Sequence, residues 1–267
     1  MSEQRAGTRA GWVFAGVLLV WVLGCALLPR VPQPQSYHAF ADARTIAGIA
    51  NFWNVVSNAA ILLAGALGLQ ELLAHSQRFL RRDESWPYAA FFGATVLVAL
   101  GSTYYHLAPD DTRLLWDRLP IALATAALAI AVWSDHSGSR AVVRLLWPAL
   151  LAGALSVIYW RTSARHGHDD LVPYLLLQLL AIGAIVLLAR LPGRYSRVSD
   201  LWIVIGLYVG ARLAEVFDRA LYAVGGILSG HTLKHLLAAL AAVWVLRMIR
   251  LRQPVSGLGD PERMTHA

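Results

Sequence analysis

Roughly eight apolar runs of about twenty residues divide the chain, near 11–29, 51–75, 87–107, 114–134, 142–160, 171–190, 199–221 and 231–250. Crossing about 30 Å of hydrocarbon takes about 20 residues of helix, and lipid offers no partner to a backbone N–H or C=O, so runs of this length can only be helices. With 57% hydrophobic and 15% charged residues, the chain is too apolar for a water-soluble domain. The sequence therefore predicts an all-α integral membrane protein: a bundle of seven transmembrane helices with one additional N-terminal transmembrane helix. The divisions that follow are 1–35, an anchor helix and linker; 36–252, the transmembrane domain that carries the polar residues; and 253–267, a disordered cytoplasmic tail.

The first run follows Arg5 and Arg9, which is also how a secretory signal begins, and Val22 to Cys25 (VLGC) resembles a lipoprotein cleavage site. The apolar run continues past the cysteine, so it is read as an anchor. Numbering the loops alternately puts Arg78, Arg81, Arg82, Arg140, Arg144, Arg190, Arg194, Arg197, Arg247, Arg250 and Arg252 on the side of the N-terminus, against Arg30, Arg44, Arg113, Arg161, Arg165 and Arg219 opposite. That excess places both termini in the cytoplasm. The net charge of +7 is almost wholly an arginine charge, since Lys234 is the only lysine, and most of the arginines lie between apolar runs. Such a pattern suits anionic headgroups and topology, and it argues against nucleic acid as a partner. Cys25 stands alone, so any metal has to be held by His and carboxylate. Nothing in the sequence sets an oligomeric state.

The polar residues inside the apolar runs are not scattered. Asn51, Asn54, Ser57 and Asn58 open one run, Ser102 and His106 close another, Asp117 opens the next, Glu215 and Asp218 close theirs, and His231 and His235 open the last. Under the alternation above, all of these ends fall on the non-cytoplasmic side. His231 and His235 are spaced i and i+4, so both imidazoles leave one helical face. The short turn after His106 forces an antiparallel neighbour and returns Asp117 to about the depth of His106.

Ionisable groups in the membrane are costly and mark function. Three histidines with one open position form the pattern of a catalytic zinc site, one ion per chain. Such an ion lowers the pKa of bound water to about 7 and polarises a carbonyl. Asp117 would accept and return the proton, Ser102 would donate to the oxyanion, and Asn54, Ser57, Asn58, Glu215 and Asp218 are candidates to orient the imidazoles. Three imidazoles would hold several divalent ions, so the residues alone leave the metal open.

The order NFWNVVSN, GSxxxH, an Asp eleven residues after that His, and a terminal HxxxH resembles the alkaline ceramidase family, within a wider group of seven-helix intramembrane hydrolases that includes the progestin and adipoQ receptors. The resemblance covers about residues 36–250. It implies a zinc ion on His106, His231 and His235, a working pair Ser102 and Asp117, and hydrolysis of the amide of a ceramide-like membrane lipid to a sphingoid base and a fatty acid. The eukaryotic members also bear a calcium site that uses acidic residues ahead of the first family helix and a Glu before the FWN motif. Here Asn51 stands at that Glu, and the earlier segment offers only Asp42, which argues against calcium. Two other classes use the same residues: a metal-containing lipid receptor or sensor without turnover, and a proton-coupled transporter whose His, Asp and Glu form a relay.

Overall fold

The computed structural model describes residues 3–255. Among them the regular elements are helices: α1 (Glu3–Leu27), α2 (Phe52–Val56), α3 (Asn58–Ala74), α4 (Ser85–Leu107), α5 (Asp111–Ser137), α6 (Arg140–Arg144), α7 (Leu146–Arg165), α8 (Val172–Leu188), α9 (Asp200–Val216), α10 (Asp218–Gly225) and α11 (Gly230–Leu251), with short 3-10 turns between some of them. Six stretches are long and apolar enough to cross a membrane: Gly7–Leu27, Phe52–Ala74, Arg82–Leu107, Asp111–Ser137, Arg140–Arg165 and Gly230–Leu251. The chain is thus an integral membrane protein by length and composition of its helices. The apolar α8 and the more charged α9 are each 17 residues long, at the short end of a spanning helix.

Three of the apolar runs are interrupted where continuous helices were expected. The first breaks at Ser57 into α2 and α3, and the last but one breaks at Phe217 into α9 and α10. The run near 142–160 starts earlier, at Arg140, and breaks at Leu145. Pro148 accounts for that break, because it has no N–H to return to the Arg144 carbonyl one turn back.

The bundle is built by neighbours in sequence: α3 lies on α4, α4 on α5, α5 on α7 and α8, and α11 closes the ring against α9 and α3. The connection 108–110 between α4 and α5 is short because Asp110 caps α5, its carboxylate accepting from the Arg113 N–H at 2.8 Å. Pro120 inside α5 deprives the Trp116 carbonyl of its helical donor, and α4 comes closest there. A Cβ on Gly101 would stand 1.9 Å from the Trp116 oxygen, so only glycine permits that approach. Gly230 does the same for α11 against α9, where a Cβ would meet the Ala214 oxygen at 2.0 Å. These two contacts set the depth of His106, Asp117 and His231 against one another.

At the far end of the bundle the charges are paired. Glu84 takes Arg194 at 2.7 Å and the Tyr195 hydroxyl at 2.6 Å, while Asp135 takes Arg252 at 2.5 Å and the Tyr88 hydroxyl at 2.6 Å. The tail was expected to be disordered from Gln253, but its first residues are tied down. Gln253 exchanges hydrogen bonds with Ser196, and the Val255 N–H donates to the Arg194 carbonyl at 3.0 Å. The remainder of that segment lies outside the described residues. α1 sits on the outside of the bundle, anchored to α8 where the Trp21 indole donates to the Pro173 carbonyl at 2.8 Å.

Candidate metal centre

His106 reaches the centre from the last turn of α4, and His231 and His235 from the first turns of α11. All three are buried, at 1%, 4% and 3% exposure, and their rings lie 4.8 to 5.0 Å apart, centroid to centroid. One ligand atom from each can be chosen so that all lie within 4.8 Å of one another. The Nε2 atoms of His106 and His231 approach to 3.3 Å. At this spacing one nitrogen lone pair from each imidazole could be directed at a shared cation.

The start of α11 is held by side chains that aim its first turns. Ser229 caps it by accepting from the Thr232 N–H at 3.1 Å, and the Asp218 carboxylate accepts from the His231 N–H at 2.8 Å. Asn54 accepts from the Thr232 hydroxyl at 2.9 Å. His235 is oriented at its ring: Nδ1 lies 2.8 Å from the Ser57 hydroxyl, which itself donates to the Asn54 carbonyl at 3.2 Å. With the serine proton committed, His235 Nδ1 carries the hydrogen and Nε2 is left bare for a ligand.

Ser102 and Asp117 lie at 2% and 4% exposure and are hydrogen bonded to each other across the α4–α5 contact. The charged neighbours of Asp117 are Lys234, Arg118 and Glu215. Lys234, between the two histidines of α11 in sequence, reaches Glu215 at 2.6 Å, and Glu215 also accepts from the Tyr37 hydroxyl at 2.9 Å.

Of the five residues expected to orient the imidazoles, Ser57 bonds to a ring. Asn54 meets the His235 ring through its backbone carbonyl, and the side chains of the other four make different contacts. The Asn54 side chain and Asp218 fix the helix start, Asn58 donates to the Asn54 carbonyl at 2.9 Å, and Glu215 neutralises Lys234 and Arg212. Asp218 meets the α11 backbone at the His231 N–H, while Asn54 and Glu215 meet other α11 side chains, those of Thr232 and Lys234, and none of these three side chains reaches a ring.

Several parts were not read from the sequence. Phe40 lies over the centre, its ring 4.7 Å from that of His106 and 4.6 Å from that of His231. The strand of chain bearing it is pinned on both sides, by His38 to Asp111 at 3.0 Å and by the Ala41 N–H to Asp218 at 2.8 Å. Asp42 is forked by Arg44 at 2.8 and 2.7 Å, and these hydrogen bonds hold its carboxyl below the usual carboxylate range. Asn51 donates to the His106 carbonyl at 2.9 Å from a left-handed backbone, φ 48°. Arg118 is boxed by Trp160, Tyr37 and Tyr174. None of these contacts follows a helical spacing.

A family model described as Ceramidase matches residues 43–254, most of the chain. The chain belongs to the ceramidase family. No curated protein matches it. Ceramidase membership supports ceramide hydrolysis in general, at an amide, and a lipid substrate with it. The matched stretch contains all three histidines, Ser102 and Asp117, and it begins after α1 and Phe40. In this member of the family the buried group of His106, His231 and His235 could hold a metal, which is compatible with a metal-dependent reaction.

Proposed function

We propose that the chain is a membrane-embedded, zinc-dependent amidase that hydrolyses ceramide-like lipids to a sphingoid base and a fatty acid. Seven helices form its catalytic bundle, α1 serves as an added anchor, both termini face the cytoplasm, and the histidines face the opposite leaflet. The observation that carries this reading is the 3.3 Å between His106 Nε2 and His231 Nε2. Two nitrogens at about 2.0–2.1 Å from one tetrahedral zinc are separated by about 3.3–3.4 Å. With His235 Nε2 turned the same way by Ser57, the donor set suits one zinc with a fourth position for substrate or water.

Bound there, zinc supplies Lewis acidity and a water whose pKa falls to about 7. The residues do the rest. Asp117 takes the proton of the attacking water, and as the C–N bond breaks it passes that proton to the departing nitrogen. The products are then an amine and a carboxylic acid, and the carboxylate is restored. Ser102, donating to Asp117 at rest, turns its O–H to the carbonyl oxygen as charge builds there. Lys234 and Arg118 offset the negative charge of Asp117 and Glu215 in a place with little water. Phe40 keeps bulk water off the imidazoles, so a scissile amide entering from the bilayer displaces its ring rather than solvent.

The reading is tested on the purified chain in detergent, with a panel of ceramides and matched esters. It expects release of fatty acid and sphingoid base, loss of turnover after chelation, and recovery with zinc. Stoichiometric metal without turnover on any amide or ester would leave a receptor or sensor; absence of metal would leave a proton relay. Ser57→Ala is expected to weaken zinc binding by about 10–100-fold, since it frees the His235 ring. Competition against a chromogenic chelator measures this, and an unchanged affinity would mean that Ser57 does not orient the ligand.

A further inference from the structure

The end of the bundle away from the histidines holds a second feature. An open cavity of about 670 Å³ is lined by Arg81, Arg82, Asp83 and Trp86 at the entry to α4, and by Arg140 at the start of α6. The length of α4 from Trp86 to His106 is about 30 Å, so the cavity and the metal centre belong to opposite membrane faces.

The three arginines are not equivalent. Arg81 forks Asp83 at 3.0 and 3.1 Å, lies 3.8 Å from Glu84, and donates to the Gly138 carbonyl, which ties the α5–α6 turn to the start of α4. It neutralises Asp83 and builds a fixed floor. Arg82 and Arg140 are exposed on the rim, and among the described residues no hydrogen bond or ion pair holds either guanidinium. Arg140 has Asp83 as a charged neighbour, already satisfied by Arg81. Beside them Trp86 is 55% exposed, an apolar ring at the depth where indoles mark the boundary of hydrocarbon and headgroup. Net positive charge, two uncommitted planar forks and an apolar wall thus share a space as large as a ligand site.

We propose that this cavity binds the headgroup of an anionic phospholipid, with Arg82 and Arg140 on the phosphate oxygens and Trp86 against the glycerol and upper acyl chain. Guanidinium forks match phosphate in pairs, and basic pockets between helices at a membrane face recognise charged headgroups. A free phosphate would use the same arginines, but it would gain nothing from Trp86. The site does not depend on the chemistry assigned to the histidines.

Native mass spectrometry of the full chain in neutral detergent tests this, with phosphatidylglycerol against phosphatidylcholine, and with inorganic phosphate as a separate competitor. The wild type is expected to retain one phosphatidylglycerol in preference to phosphatidylcholine. The double variant Arg82→Gln with Arg140→Gln should lose at least about tenfold of that retention, while Arg5→Gln with Arg190→Gln, the same charge change elsewhere, should retain it. Trp86→Ala should weaken the lipid and leave phosphate competition unaltered. Equal retention by wild type and the cavity variant would overturn the proposal, and so would inorganic phosphate binding as tightly as the lipid. Ceramide turnover, read alongside, should be unchanged in the cavity variant in pure detergent.

Discussion

Asp117→Asn is expected to lower ceramide hydrolysis by about 100-fold or more while leaving bound metal at wild-type level. The asparagine keeps the size of the carboxylate and can still accept from Ser102, so the α4–α5 contact around Gly101 has no cause to shift. What is lost is the group that takes a proton from water and gives it to nitrogen. The loss should fall on kcat, with KM little changed, because the interaction is made while bonds are breaking. Fatty acid release and metal content on one preparation decide it. Turnover within a few-fold of the wild type would remove Asp117 from the chemistry.

His231→Ala is expected to abolish both bound metal and turnover. Two imidazoles would remain, and removing one of three fixed donors forfeits the closed donor set that makes binding tight. The helix start should survive, because the contact of residue 231 with Asp218 is made by its backbone N–H, which alanine keeps. The variant should therefore stay folded in detergent and lack the stabilisation by added zinc that the wild type is expected to show in thermal unfolding. Retained stoichiometric metal would show that the ion sits elsewhere.

The histidines were legible because helical arithmetic and the short α4–α5 turn both constrain them. An i, i+4 pair shares a face whatever surrounds it, and the connection 108–110 leaves α5 no course but back along α4. Helix positions were legible for a related reason: lipid leaves the backbone one solution. The breaks at Ser57 and Phe217 were not, since each is set by contacts with α11 and the segment near Phe40, which a one-dimensional pattern does not contain. The break at Leu145 had a signal in Pro148. Phe40 and Lys234 escaped because a phenylalanine ahead of the first bundle helix and a lysine between two ligands in sequence look, by spacing alone, like a packing residue and a solvated one. Their roles arise from ring-over-ring contact and from the carboxylate of Glu215, which the fold brings over from another helix.

X-ray absorption at the zinc edge of the purified wild-type chain reads the centre most directly. It should give about one zinc per chain, with three imidazole nitrogens and one lighter oxygen ligand at about 2.0–2.1 Å. A coordination shell with fewer than three imidazoles, or the same spectrum from His231→Ala, would contradict the shared centre on which the proposed hydrolysis rests.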